Sequence, residues 1–457
     1  MASRTLDHKG RPVVVVTGLG LVTSLGVGAE TCWSRLVAGH SGIKPIRRFS
    51  TQGLKTTIAG TVDDLDVAPY SAFDLSTAMA ESAAEEAISQ AKIGRTASFP
   101  GPLIVATPPS EFEWPHLREI YDAHPNNALT GYKRLLANAR RERFGGLARH
   151  VRFSAIADHL KQRFGTEGAP LSVCTACASG ATTIQLGLEA IRRGATDAAL
   201  CIGTDATVHP EGLIRFSLLS ALSTANSEPT KASKPFSRTR DGFVMAEGAG
   251  ALVLESYDAA KARGAKILGV VRGCGEKADE FHRTRSKPDG AAMIGAIRKT
   301  LADAGVEPHE IDYINAHGTS TPENDKMETL SLRAVLGDHL RRTPISSNKS
   351  MLGHTLIAAG SVEAVFSILT LERGVLPPTL NYDPDPDLPL DVVPEQSRQA
   401  RVRTVLSNSF GFGEAAQGQG RPLQFVRLRR TERVRRVLRR AGMTERKGNP
   451  QPSHERR

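Results

Sequence analysis

Leu171-Ser-Val-Cys-Thr-Ala-Cys177-Ala-Ser-Gly180, running on as Ala-Thr-Thr-Ile-Gln-Leu-Gly-Leu-Glu-Ala-Ile-Arg-Arg-Gly194, is the stretch on which the fold turns. A short strand opens it. Ile184, Leu188 and Ile191 then fall at i, i+4 and i+7, which predicts a helix, and Arg192-Arg193-Gly194 is a fitting stop. Cys177 therefore lies in a strand-to-helix loop, at or just before the helix N-terminus. The positive end of the helix dipole favours thiolate there. Ala176, Ala178, Ser179 and Gly180 are small enough to leave room for a bound group and for backbone N–H donors. Taken alone, a cysteine in such a turn is more often inert packing.

Three further segments repeat the design of buried strand, polar loop, then helix or glycine turn. One is Asp312-Tyr-Ile-Asn-Ala-His317-Gly-Thr-Ser-Thr321-Pro-Glu-Asn-Asp325, where Thr321-Pro322 suits an N-cap and first helical position. Another is Pro344-Ile-Ser-Ser-Asn-Lys349-Ser-Met-Leu-Gly-His354-Thr, ahead of a helix with Val362, Val365, Phe366 and Leu369 on one face and Gly374 as stop. The last is Val405-Leu-Ser-Asn-Ser-Phe410-Gly-Phe412-Gly413, whose glycines free the backbone to turn an N–H inward. In α/β folds ligands gather where strands end and helices begin, so these loops are expected to meet at one site.

The same rhythm extends along the chain. Gly10-Arg-Pro-Val-Val-Val-Val-Thr-Gly-Leu-Gly20 reads as a buried strand followed by a glycine turn. A dinucleotide loop fails there, because its third glycine position is Thr23 and no acidic residue ends a second strand at the expected distance. Glycines packing a strand against a helix explain the pattern better. Strands are predicted at 198–202, 249–254, 266–271, 311–315 and 404–407, alternating with helices. This implies a mainly parallel sheet covered by helices. A second strand-led half opens near Ala265-Lys-Ile-Leu-Gly-Val-Val. Residues 108–153, with Trp114, Tyr121 and Tyr132, read as an inserted, mostly helical cap of the kind that often carries specificity.

Composition narrows the classes. The net charge of +11 suggests nucleic acid, but twelve Lys/Arg and three Asp/Glu, a net of +9, lie in 427–457, leaving +2 for the first 426 of 457 residues. The basic character belongs to a tail, expected to be solvated. No run approaches the ~20 apolar residues of a membrane helix, and the opening lacks a secretory core, so a cytoplasmic protein is expected. The five cysteines are too scattered for a disulfide scaffold. Cys174-Thr175-Ala176-Cys177 alone makes a poor structural zinc site, which normally has four ligands.

Thr-Ala-Cys177-Ala-Ser-Gly, Asn-Ala-His317-Gly-Thr-Ser-Thr-Pro, Asn-Lys349-Ser-Met-Leu-Gly-His354 and Asn-Ser-Phe-Gly-Phe412-Gly together resemble the β-ketoacyl-[acyl-carrier-protein] synthases of types I and II. Arg240-Asp-Gly-Phe-Val-Met-Ala-Glu-Gly-Ala-Gly250 is similar to a further family segment, and the motifs stand in family order from about residue 12 to 428. The resemblance implies an α/β thiolase-like fold: two related βαβ halves form a five-layered α-β-α-β-α core with an inserted helical cap. Its halves would span 12–265 and 266–428, with 429–457 as a basic tail.

The implied activity is the decarboxylating condensation of malonyl carrier protein with an acyl group in fatty acid elongation. Cys177 would be the nucleophile, and its N–H with that of Phe412 the oxyanion hole. His317 and His354 would stabilise the enolate, and Lys349 the site's electrostatics. Thr319 and Thr321 would bind pantetheine, Glu363 would support the lysine, and Phe412 would gate the acyl tunnel. The implied partners are an acyl carrier protein, acyl and malonyl thioesters and a second copy of the chain, with no metal or organic cofactor and no nucleic acid.

The sequence departs from the family in two places. Glu414-Ala-Ala-Gln-Gly-Gln-Gly420 stands where Gly-Gly-Thr-Asn is usual, and Ala106-Thr-Pro-Pro-Ser-Glu-Phe-Glu-Trp114 replaces a glycine-rich opening. The insert is similar to that of alphaproteobacterial synthases serving very-long-chain lipid A acyl groups. Alternatives are a polyketide-type ketosynthase, or a non-catalytic partner resembling a chain-length factor. A thiolase would need a second late cysteine, whereas the second half carries only Cys274.

Overall fold

Val14–Thr23, the first strand (β1), is buried along its whole length, because it lies between two neighbours in the sheet and between two helical layers. In the computed structural model, which describes residues 5–68, 70–94, 98–109, 111–124, 129–140, 142–282, 285–411, 418–420 and 423–426, it is the central strand of a twelve-stranded sheet. Gly18 and Gly20 are strand residues, so the glycine turn expected there does not form. Any Cβ on them would overlap the carbonyls of Ala87 and Ala83 on the helix Ala72–Ala91 (α2). These glycines serve strand-to-helix packing.

The remaining core strands are Leu103–Ala106 (β2), Leu171–Val173 (β3), Ala198–Asp205 (β4), Gly248–Ser256 (β5), Gly269–Cys274 (β6), Tyr313–Asn315 (β7), Pro344–Ser346 (β8), Asp391–Val392 (β9), Thr404–Ser407 (β10) and Leu423–Val426 (β11). Their order is β9-β8-β7-β10-β11-β6-β1-β5-β4-β2-β3. From β1 outward, the strands run antiparallel to β5, antiparallel to β4, then parallel to β2 and β3. From β6 outward the same sequence of directions recurs through β11, β10, β7 and β8. The two halves repeat one topology, and β1 joins β6 antiparallel between them.

The expected mainly parallel sheet is corrected to a mixed one. Helical crossovers return the chain to the same end and give parallel pairs, whereas the excursions 206–247 and 408–422 bring β5 and β11 back beside β4 and β10 in the opposite sense.

Period-two alternation divides each inner strand between two cores. Ala199, Cys201, Leu252 and Leu254 face a central cluster, while Leu200, Ile202, Ala251 and Val253 face the layer holding α2 and Ala155–Phe164 (α6). The central layer is Ser179–Arg192 (α7) and Ala359–Arg373 (α13). Ala291–Ala304 (α10) and Pro322–Leu336 (α11) cover the far side of the second half. The layering is α-β-α-β-α.

α13 is buried from Ala359 through Leu371, so the one apolar face read from its sequence is corrected to burial all round. The insert 108–153 is mostly helical, with Trp114–Asp122 (α3), Gly131–Ala139 (α4) and Ala148–Val151 (α5). The tail beyond 426 lies outside the described residues.

α7 and α13 meet at their N-termini through glycine. A Cβ on Gly180 would overlap the backbone N of Ser361, and one on Gly360 the backbone N of Ala181. Because backbone meets backbone, no rotamer relieves the clash. Gly180→Val is expected to lower stability by at least about 1–3 kcal/mol, read as a shift of the urea midpoint, whereas Gly145→Ala, with open space around it and no left-handed φ, is the control for expression.

Candidate active site

Every loop of the site leaves the C-terminal end of a parallel strand: β3 leads to Cys177, β7 to His317, β8 to Lys349 and His354, and β10 to Phe410. The structure brings Cys177, His317, Thr319, Thr321, His354 and Phe410 around one pocket. The nucleophile candidate comes from the first half and the histidines from the second.

Cys177 is buried and sits two residues before α7. The chain reaches it through Ala176 in the left-handed region, φ 48°, a conformation that a bulky side chain resists. Ala178 N–H donates to Thr175 O at 3.2 Å and Ser179 N–H to Ala176 O at 3.0 Å, while Thr175 N–H donates to Ser179 Oγ at 2.7 Å. The elbow is fixed by its own residues. Gly411 lies against it: a Cβ there would come within 3.2 Å of Cys177 N. Cys174, by contrast, is exposed, so the two cysteines occupy different environments.

The hydrogen bonds of His354 and His317 settle their tautomers. Leu356 N–H donates to His354 Nδ1 at 3.2 Å, so that nitrogen is an acceptor and the proton belongs on Nε2. Lys349 Nζ donates to His317 Nδ1 at 3.3 Å and to His317 O at 2.6 Å, with the same consequence. The rings stand edge-on, 5.2 Å between centroids, and Phe243 and Phe410 wall them. Burial first, and then the Lys349 charge, hold both imidazoles well below their ordinary pKa. The site therefore presents two neutral N–H donors at physiological pH.

Lys349 is almost wholly buried and pairs with Glu363, itself buried. Burial pushes the Glu363 carboxyl up to about 7, with Lys349 opposing. Thr319 and Thr321 line the pocket with their hydroxyls 2.8 Å apart, and Thr321 Oγ1 caps α11 by accepting from Asn324 N–H at 3.2 Å. Phe412 and the divergent residues 413–417 lie outside the described residues.

Sequence reasoning missed three buried carboxylates that pin the histidine loops. Glu328 accepts from the N–H groups of His317 (2.9 Å) and Gly318 (2.8 Å) and from Asn408 Nδ2 (3.0 Å). Asp325 accepts from Thr319 N–H and Phe236 N–H. Asp205, at the end of β4, accepts from Ile357 N–H at 3.1 Å, beside the Leu356 donor that orients His354. Glu328 and Asp325 stand on the first two turns of α11. Acidic residues there were a signal, although nothing in the sequence revealed that they face inward.

The Beta-ketoacyl synthase N-terminal domain profile matches residues 11–260 and the C-terminal domain profile residues 268–383. The chain is 35% identical over 407 residues to the 3-oxoacyl-[acyl-carrier-protein] synthase 2 of Coxiella burnetii, covering 88% of this chain and 96% of that one. It is 36% identical to the tetracenomycin polyketide synthase ketoacyl synthase alpha subunit of Streptomyces glaucescens, covering 88% and 94%. Among solved structures, a ketosynthase complex described as a type II polyketide acyl-carrier protein with its ketosynthase bound to the hexaketide superposes with a TM-score of 0.80 at 31% identity, covering 92% of this chain and all of that one. A β-ketoacyl synthase of Burkholderia phymatum gives 0.77 at 30% identity, with the same coverage.

Lys349→Met is expected to cost about 3–5 kcal/mol in urea unfolding, because it strands Glu363. The loss should grow from pH 6 to pH 8: a carboxyl whose folded pKa is raised loses stability as pH rises. Lys349→Met combined with Glu363→Leu should recover most of it. A single variant as stable as the parent at pH 8 would contradict a buried ion pair.

Proposed function

This chain belongs to the β-ketoacyl synthase family, and from that premise we propose that it is a 3-oxoacyl-[acyl-carrier-protein] synthase in fatty acid elongation, acting through Cys177, His317, His354 and Lys349. The observation that carries the assignment is the pair of neutral imidazoles, each with Nδ1 engaged, sharing one pocket with a cysteine at a helix N-terminus.

The Cys177 thiolate attacks the carbonyl carbon of an acyl carrier-protein thioester, the tetrahedral intermediate collapses as the C–S bond to the carrier breaks, and the carrier leaves as thiolate and takes up the proton that the Cys177 thiol had released. The Cys177 N–H, joined by that of Phe412 from the loop that Gly411 seats against the elbow, holds the oxyanion. Malonyl carrier protein then enters along Thr319 and Thr321. Its thioester oxygen accepts from His317 Nε2–H and His354 Nε2–H. The carbon–carboxylate bond breaks, CO2 departs, and the electron pair becomes an enolate that these two donors stabilise. The enolate carbon attacks the acyl-Cys177 carbonyl, and the C–S bond breaks to restore thiolate. Phe412 gates the acyl tunnel in this scheme.

All bond changes are carried by side chains and substrate, and the phosphopantetheine arrives with the carrier protein. Lys349 serves to keep His317 Nδ1 unprotonated and to hold that ring in place, as Leu356 N–H does for His354 Nδ1.

A homodimer fits the edge position of β3, with Leu171 exposed, and the exposed Val151 and Phe153 nearby in sequence. No helix among the described residues is long and apolar enough to cross a membrane, which accords with a cytoplasmic setting. A polyketide-type ketosynthase is the second reading, favoured by the Streptomyces glaucescens relative at 36% identity.

Incubation with a mass-tagged acyl carrier thioester is expected to label Cys177, and malonyl carrier protein should then release CO2. Cys177→Gln should abolish condensation while decarboxylation continues. Loss of both would contradict the division of labour between the cysteine and the histidines. The decarboxylation rate is further expected to stay level from pH 7.5 down through about 6.5, the ordinary imidazole pKa, because both rings titrate well below it. An acid limb centred near 6.5 would mean that a histidine acts in its charged form.

A further inference from the structure

Leu356 is buried with a φ of 44°, a left-handed conformation that a side chain of this size rarely adopts. Such strain persists only where the surroundings fix it, and it gathers at functional sites. The N–H of Leu356 donates to His354 Nδ1 at 3.2 Å, and the next N–H along the chain, that of Ile357, donates to Asp205 Oδ2 at 3.1 Å. Two consecutive peptide groups thus serve two different acceptors, an imidazole and a carboxylate. The unusual φ of Leu356 is the angle that relates them. Its side chain packs in one apolar cluster with Cys177, Phe243 and Met245, which resists any relaxation.

Asp205 is an anchor in its own right. It ends β4, is 1% exposed, and its Oδ1 accepts from Thr207 N–H at 2.9 Å and Thr207 Oγ1 at 2.6 Å. Its place is therefore set from the first half of the chain, independently of Ile357. Burial pushes its carboxyl up to about 6, with the three donors opposing, so at neutral pH it accepts through both oxygens. A bond from N–H to a carboxylate is about twice as strong as a neutral one. The backbone of His354 has separate support, since its N–H donates to Val244 O at 2.7 Å and its O accepts from Ala246 N–H at 2.9 Å. Those bonds leave the ring free to rotate. The ring's orientation comes from Leu356 N–H, whereas Lys349 bonds to His317.

We propose that Asp205 is a positioning residue for decarboxylation: by holding Ile357 N–H it keeps Leu356 strained, which aims Leu356 N–H at His354 Nδ1 and His354 Nε2–H at the malonyl thioester oxygen. The inference rests on the reading of His354 as donor to that oxygen. It makes the first half of the chain a contributor to the imidazole side of the reaction, since Asp205 reaches Ile357 across 152 residues. Acyl transfer to Cys177 makes no use of His354 in the scheme above, so the two half-reactions should depend on Asp205 unequally.

The full chain is acylated from an acyl carrier thioester, with loading of Cys177 followed by protein mass spectrometry. Excess malonyl carrier protein is then added and CO2 release is read in a single turnover. Only folded protein loads, so the second rate constant does not depend on how much of a variant folds. Asp205→Asn keeps the shape but offers one acceptor oxygen where three donors use two. It should load Cys177 as the parent does, while the plateau rate of CO2 release falls about 10- to 100-fold with the half-saturating malonyl carrier concentration unchanged. Glycine accepts a left-handed φ unaided, so Asp205→Asn should cost less in a Leu356→Gly background than in the parent. Asp205→Ser, read in the same way, serves if Asp205→Asn does not fold. CO2 release at the parent's rate, loading lost together with CO2 release in both variants, or an equal cost with leucine and glycine at 356 would each overturn the role of Asp205. No CO2 release from the acylated parent would overturn the reading of His354 itself, and this inference with it.

Discussion

One ammonium group organises the site. Lys349 is buried with three acceptors around it: the Glu363 carboxylate, His317 O and His317 Nδ1. A buried charge is tolerable only when paired and hydrogen-bonded, so the lysine fixes the position of everything it touches. It orients His317, adds its charge to burial in keeping the imidazoles neutral, and pairs with Glu363 of α13. The His317 donor is thus a consequence of an ion pair that never meets substrate, while Leu356 N–H fixes the donor of His354.

Around that centre, contacts made to the backbone do most of the positioning. Glu328, Asp325 and Asp205 each accept from backbone N–H groups of the histidine loops or their immediate continuation. The nucleophile and His354 are drawn together because the helices that follow them touch N-terminus to N-terminus through Gly180 and Gly360. Where main chains make the contact, the geometry has few soft degrees of freedom, which suits a site requiring a reacting carbon within reach of a thiol and two imidazoles.

Much of this was legible in the amino-acid order, and the limits are physical. The cap at Thr321, the loop position of His317 and the packing of Gly18 and Gly20 were visible because each depends on residues close in sequence. The direction of β5 and β11 was not, since strand polarity depends on where a long connection returns. α13 showed an apolar face but not burial on all sides, because Ser361, Glu363, Ser367 and Thr370 punctuate the rest of its surface and read as solvent-facing until their partners are known. The carboxylates were hidden for a similar reason: Asp205 meets Ile357 from 152 residues away. A charged residue reads as surface until its partner is known.

The repeated topology has one more consequence. Each half builds its own strand ends and loops, yet the first contributes a thiol without imidazoles and the second imidazoles without a thiol. Chemistry belongs to the seam, and turnover becomes a gauge of registration between two bodies of like design. A slip of about 1 Å at the Gly180–Gly360 contact would cost turnover on the order of a hundredfold with every reacting group still intact.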